Sequence, residues 1–272
     1  MINFDEIAVL FGFKYFWIRR EAEEYVDNYN RNCATGSKKM LIFANEINTS
    51  KSRTFIPATP ARFFDAYKFI PRYHRSFYEV LRADKPCNLY LDIEFYTQLN
   101  PGLIGETVMK VIRLILHREV YLFVLQCLTT LTLNVGKFMD FTEFGNFVEL
   151  DASAPWKYSK HVIGHLPFGV VFMTTSDCEV FVDRLISSFT RCLKDASSWG
   201  EEFGFTIPSE IVTCVHHINA YKRTDVIDRG VYTKNHDFRL IYSSKFEDLH
   251  NKQGNRHLYP WNIQENRRSA NL

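Results

Sequence analysis

No pair of cysteines in this chain of 272 residues stands at zinc-finger spacing. The six cysteines, Cys33, Cys87, Cys127, Cys178, Cys192 and Cys214, are scattered and form no C-x-x-C. That argues against a zinc ribbon and a disulfide framework, and it fits a reducing compartment. Cys214 lies beside His216 and His217, but no second ligand pair follows, so a structural role is the plainer reading. A large net charge is also missing: 33 Lys and Arg against 31 Asp and Glu leave +2, so only the distribution of charge is informative. The N-terminus, Met1-Ile2-Asn3-Phe4-Asp5-Glu6, is acidic before it is apolar, unlike a secretory signal or an Arg-rich transit peptide. The most apolar stretch, Val120 to Val135, is interrupted by Gln126, Asn134 and several threonines, too short and polar for a bilayer span. It reads as buried core. Neither an internal repeat nor a low-complexity tract is present, and Gly36-Ser37-Lys38 lacks the upstream glycine of a P-loop.

What is there suits a globular protein: 46% hydrophobic and 24% charged residues, in a length that allows one large domain or two smaller ones. The 24 Phe and 14 Tyr imply a Phe-rich core, or rings left out as stacking surfaces for bases. Residues 15–30 combine helix formers and mixed charge, and a polar loop follows to Lys39. Met40–Ala44 reads as a strand, Ala61–Phe69 as a helix and Leu89–Phe95 as a strand. Val108, Val111, Ile112, Leu114 and Ile115 mark a helical stripe within 105–117. Trp156–His165 is strand-like. Ser176-Asp177-Cys178-Glu179 has the form of a capping box opening a helix to Leu193, with Val180, Leu185, Ile186, Phe189 and Leu193 inward. Val226–Tyr232 and Phe238–Tyr242 suggest a hairpin looping through 233–237. Interleaved strands and helices imply an α+β or α/β architecture. The expected organisation is an N-terminal helical segment over 1–34, a core over 35–248 and a polar tail or linker over 249–272.

Four constellations carry chemistry. In Leu89-Tyr90-Leu91-Asp92-Ile93-Glu94-Phe95, period-two alternation sends the apolar residues one way and Tyr90, Asp92 and Glu94 the other. Two carboxylates on one strand face suit a hard divalent cation. Asp177 and Glu179 share the spacing but open a helix, where residues two apart diverge by about 200°. A solvated strand face remains the plain alternative for Asp92 and Glu94. In Lys157-Tyr158-Ser159-Lys160-His161, extension places Lys157, Ser159 and His161 on one donor-rich face suited to phosphate oxygens. Asp228 sits in a β-rich run, with Arg239 expected near it across the hairpin and Lys245 further on; an ordinary cross-strand ion pair is the alternative. From Lys51 to Lys85, eight Lys and Arg face only three acids, interleaved with Phe55, Phe63, Phe64, Tyr67, Phe69, Tyr73, Phe77 and Tyr78. That pattern suits a nucleic-acid surface, or a solvated helix over an aromatic core.

Taken together these strings resemble the primase-polymerase family of the archaeo-eukaryotic primase superfamily. Asp92-Ile93-Glu94 is similar to its D-x-E motif and Ser159-Lys160-His161 to its S-x-H motif. Asp228 with Gly230-Val231-Tyr232-Thr233-Lys234-Asn235 and Phe238-Arg239-Leu240 is similar to the third, more specific string. The likeness runs from about Arg53 to Lys245. It implies a catalytic core of two interwoven α/β modules, with antiparallel-rich sheets forming a cleft. It implies further that Asp92, Glu94 and Asp228 hold two Mg²⁺ or Mn²⁺ ions. Arg53, Lys157, Ser159, His161, Arg239 and Lys245 match positions holding the incoming nucleotide, and Tyr78 matches a tyrosine near its sugar.

The implied activity is template-dependent addition of dNTP or NTP to a primer 3′-hydroxyl on a DNA template-primer, in damage tolerance or replication restart. Nuclear or mitochondrial residence and no membrane partner go with it. Family members carry a C-terminal zinc finger associated with priming, which these residues lack, so extension rather than de novo priming is expected. A single-stranded-DNA-binding protein would be a partner through a further C-terminal region. Residues 120–145 look unlike the family and read as an insertion. Two rivals remain, a non-catalytic nucleic-acid-binding module of the same fold and a metal-dependent nuclease.

Overall fold

Strand β1 (Leu41–Glu46) pairs antiparallel with β2 (Arg53–Ala58) on one side and β3 (Phe77–Val80) on the other. The computed structural model describes residues 8–9, 11–130, 146–195, 201, 216–219, 222–233, 236–250 and 256–260. The chain divides into two units, one of Met1–Leu81 with Asn235–Leu272 and one of Arg82–Lys234.

In the first unit the sheet runs β2-β1-β3-β9, with β9 (Asp237–Arg239) antiparallel to β3. Alternation along the strands builds a core on each face. Ile42, Ala44, Tyr78 and Val80 pack against Ala22 and Val26 of helix α1 (Arg19–Asn32). Phe43, Ile56 and Phe77 pack against Phe63, Ala66 and Tyr67 of α2 (Pro60–Tyr67), whose proline sits at the first turn, where a missing N–H costs nothing. Phe43 and Phe63 stack with centroids 3.7 Å apart. Most aromatics of the 51–85 stretch are thereby core, and only Phe69 and Tyr73 among them are large exposed rings. The segment read as a polar tail is also partly structural. After α5 (Phe246–His250), Leu258 is fully buried and exchanges backbone hydrogen bonds with Tyr242 and Ser243.

In the second unit β4 (Leu89–Tyr96) and β5 (Asn146–Asp151) flank β6 (Lys157–His165), all antiparallel. Leu89, Leu91, Ile93 and Phe95 are buried on one side of β4, as alternation requires. Helix α3 (Gly105–Thr130) extends well past the stripe expected to end at 117. It carries the first part of the apolar stretch inward through Val120, Val124 and Leu128, whereas 131–135 lie outside the described residues. Its buried Glu119 accepts hydrogen bonds from Arg184 (2.7 Å) and Ser188 (2.8 Å) of α4 (Thr175–Lys194). Among the described residues no helix is long and apolar enough to cross a membrane.

Two local readings are corrected. The cap of α4 is Thr174, whose hydroxyl accepts from the Asp177 amide at 3.1 Å, not Ser176. Val180 is accordingly 70% exposed, and Phe181 and Val182 take the inward positions. The hairpin expected from 226–232 and 238–242 does not form. Residues 226–228 line the edge of β4, Arg229–Tyr232 make a 3-10 turn, and β9 pairs with β3. A hairpin between β7 (His216–Asn219) and β8 (Lys222–Asp225) precedes them. Cys214 and the side chains of His216 and His217 fall outside the described residues. At the level of fold class the described residues are mixed α/β with antiparallel sheets, as expected.

Candidate active site

The two short motifs of the second unit meet in register. Asp92 stands opposite His161, Glu94 opposite Ser159 and Tyr96 opposite Lys157 across the β4–β6 ladder. Directly opposed residues share a face, so the two acids and the three donors line one surface. Asp92 and Glu94 keep 15% and 20% of their side chains exposed. Lys157, Ser159 and His161 are buried, so the expected donor-rich surface is a largely desolvated one.

Lys157 donates to Glu94 in a short ion pair, and its ammonium lies 5.6 Å from the Tyr96 ring centroid. His161 Nε2 is 3.9 Å from Asp92 Oδ1, close enough to feel its charge but beyond hydrogen-bond range. The Ser159 amide donates to Ser153 Oγ at 3.0 Å, tying β6 to the turn after β5.

The third acid arrives from the far edge of β4. Ile227 bridges Ile93, the Glu94 amide donates to Val226 O (2.9 Å), and the Asp228 amide donates to Asp92 O (2.8 Å). Asp228 is therefore one strand away from Asp92, and its carboxylate accepts from the Gly230 amide at 2.8 Å. Tyr232 then turns back and donates through its hydroxyl to Tyr90 O, with the two rings 4.9 Å apart. This tyrosine clasp was missed in the sequence, although Tyr232 lies within the same motif string. Burial pushes both phenols' pKa values upward, so they serve as neutral donors. Among the described residues no three His, Cys, Asp or Glu side chains already stand close enough to cage an ion.

Lys160, between Ser159 and His161, points to the opposite face. Its side chain is fully buried, with Glu106 at 3.0 Å and Glu149 at 3.8 Å. Burial pulls its pKa down while Glu106, Asp151 and Glu149 pull it back up. This network is structural, fastening α3 to the sheet.

The other expected nucleotide-binding residues belong to the first unit. Tyr78 on β3 stands opposite Arg239 on β9, and the Arg53 guanidinium lies 4.4 Å from the Tyr78 ring centroid. Arg53 is held by Glu46 (3.2 Å) and Asp237 (2.5 Å), and Asp237 also binds Arg19 (3.0 Å). Those two acids were not singled out in the sequence. Arg239 is buried and donates to Arg256 O at 3.1 Å, and Lys245 is exposed. Asp228 and Arg239, expected to meet across a hairpin, belong to different units.

No family model matches the chain. It is 30% identical over 161 residues to the DNA-directed primase/polymerase protein of Gallus gallus, covering 58% of this chain and 25% of that protein. The proteins of the same name from Danio rerio and Mus musculus are 26% identical over 188 residues and 28% over 200. Each match covers 62% of this chain, and 32% and 34% of the relative. The chain thus spans about a quarter to a third of the length of the relatives it matches. These similarities support a relationship to the primase-polymerase family.

Proposed function

We propose that this chain carries a template-dependent nucleotidyltransferase site of the primase-polymerase kind, which extends a primer 3′-hydroxyl on a DNA template. The observation that carries it is the β4–β6 register, which sets Asp92 and Glu94 against His161 and Ser159. The Gallus gallus, Danio rerio and Mus musculus proteins, named for primase and polymerase activity, point the same way.

Mg²⁺ or Mn²⁺ fits the donor set chemically. Asp92 and Glu94 offer hard oxygens from one strand face, and Asp228 is bonded through its backbone to the same strand. Lys157 already seats a positive charge on Glu94. Asp92, Glu94 and Asp228 would hold the ions, which supply Lewis-acid activation of the attacking hydroxyl and neutralise charge on the departing pyrophosphate.

The chain's own residues do the positioning. Lys157, Ser159 and His161 donate to phosphate oxygens from a face where little water competes, so each hydrogen bond is stronger than in solution. Ser153 holds the backbone of Ser159, and the Tyr232–Tyr90 clasp holds Asp228 beside β4. Arg53, Tyr78, Arg239 and Lys245 are assigned to the nucleotide by resemblance. Base pairing, rather than the protein, reads the template.

The test is extension of a labelled primer–template with Mg²⁺ or Mn²⁺ and dNTPs, with primer-free template alongside. Lengthening by the wild type, abolished in Asp92→Ala with DNA binding largely kept, supports the proposal. Shortening of the primer, DNA binding without extension, or extension that survives Asp92→Ala overturns it.

A further inference from the structure

The first unit displays a second cluster of basic and aromatic residues, beside the segment that holds Arg239. From Ala61 to Arg75 the chain carries Arg62, Lys68, Arg72 and Arg75 against a single acid, Asp65, which is paired with Lys68 at 2.9 Å. Most rings of this stretch turn inward, but Phe69 is 64% and Tyr73 54% exposed. Large aromatics usually bury their faces, so two exposed on one basic loop ask for an explanation.

The loop is stiff. Arg75 is buried beneath it, donating to Ile70 O (2.8 Å) and Lys68 O (3.4 Å), with its guanidinium over the Tyr67 ring. The His74 amide donates to Pro71 O (2.9 Å), closing a 3-10 turn at Arg72–His74. Laced from inside, the loop turns Lys68, Phe69, Arg72, Tyr73 and His74 outward.

A second element packs against Arg72 of this loop. Arg72 lies 4.6 Å from the Tyr242 ring centroid and 5.7 Å from that of Tyr259. Tyr242 has φ +62°, a left-handed backbone that a bulky residue rarely adopts, held by its amide hydrogen bond to Leu258 O at 2.7 Å. That strained backbone carries the ring that lies 4.6 Å from the Arg72 guanidinium. The result is a set of neighbouring rings and cations: Tyr73 with His74 at 4.6 Å, and Arg72 with Tyr242 and Tyr259.

We infer that the 68–75 loop, with Tyr242 and Tyr259, is a stacking platform for single-stranded DNA, on the polymerase reading the unpaired template. Bases stack on exposed rings whatever their identity, and the cations meet the phosphates between them. Without the polymerase reading the platform still binds single strands, and only the label "template" rests on it.

The test uses the full chain and a fluorescein-labelled oligothymidylate, with neither metal nor nucleotide present, read by fluorescence anisotropy. Tyr73→Ala and Arg72→Ala should each weaken binding by about tenfold, within the range expected for one lost base stack. Tyr73→Trp should keep wild-type affinity. Arg72→Ala should also flatten the dependence of log affinity on log salt by about 0.7, one phosphate contact on a single strand. Circular dichroism confirms folding of each variant. No binding by the wild type, or unchanged affinity in folded Tyr73→Ala and Arg72→Ala, overturns the inference. Failure of the polymerase reading shows separately, as a wild type that binds the oligonucleotide through Tyr73 yet extends no primer.

Discussion

Glu94 and Lys157 make the most consequential single contact in the candidate site, because each is mostly buried and each is expected to act on the same substrate. Removing the lysine takes a positioned cation from a desolvated face and leaves Glu94 without that partner. Lys157→Ala should lower single-nucleotide extension by about 10²-fold or more, the usual loss for one preorganised charge-stabilising donor. Quenched-flow measurement of one addition checks it. Asp228→Asn should lower extension comparably in the same assay while leaving the thermal midpoint close to wild type, since an amide oxygen still accepts from Gly230. Period-two alternation made the facing of Asp92, Glu94, Lys157, Ser159 and His161 legible in the string. It could not tell that the opposite-facing Lys160 would be fully buried among Glu106 and Glu149, because those acids lie 54 and 11 positions away in sequence.

Among the elements, α3 is fastened where it begins. Gly105 opens it against the Tyr158 ring, and a Cβ there would come within 2.2 Å of two ring carbons. That ring stacks on Phe95 and its hydroxyl donates to Glu106 (3.0 Å), so it has little freedom to retreat. Gly105→Ala should therefore destabilise by about 1–3 kcal/mol, the range for overpacking, seen as a lower urea midpoint at unchanged slope. At the start of α4, Thr174→Ala removes the cap on the Asp177 amide and should cost about 1 kcal/mol by the same measurement. Ser176→Ala, the cap that the sequence pattern favoured, should cost much less. Thr174, Thr175 and Ser176 are all competent caps by composition. Which of them opens the helix was decided by the neighbouring backbone, where Phe172 bridges Cys87 and fixes where the extended chain ends.

At the scale of the molecule, the first unit is assembled from both ends of the chain, and His257 marks how the second end is fastened. Its Nδ1 lies 2.9 Å from Ser244 Oγ and 3.2 Å from Tyr242 O. Burial holds its pKa below the usual 6.5, with Arg72, Arg239 and Arg75 adding to the depression and the Tyr242 carbonyl opposing it. Below pH 6.5 the unfolded chain takes up a proton that the folded chain still refuses, so stability is lost as the pH falls toward the folded pKa. Above pH 6.5 the contribution is complete. The thermal midpoint should fall between about pH 7 and pH 5, and His257→Asn should flatten that slope, as differential scanning calorimetry would show. Protonation there also places a cation beside Arg72, so acid should loosen the Tyr242–Tyr259 surface.

By itself the sequence determined the periodic elements and named the residues of the candidate site. The strands around Asp92 and Ser159, the helices before and after them, and the inward side of β4 follow from alternation and from helical repeat. Both depend only on near neighbours. Only the tertiary structure decided which strand met which. Asp92 faces His161 because β4 and β6 pair in one register out of several open to them, chosen by burying Leu91, Ile93 and Val162 together. Asp228 reached Asp92 along the edge of β4 rather than through a hairpin to Arg239. The unpaired edge of β4 took up the backbone of 226–228, while β3 took up that of Asp237–Arg239. Such choices are settled by long-range hydrogen bonding and burial, to which no local pattern in the chain is sensitive.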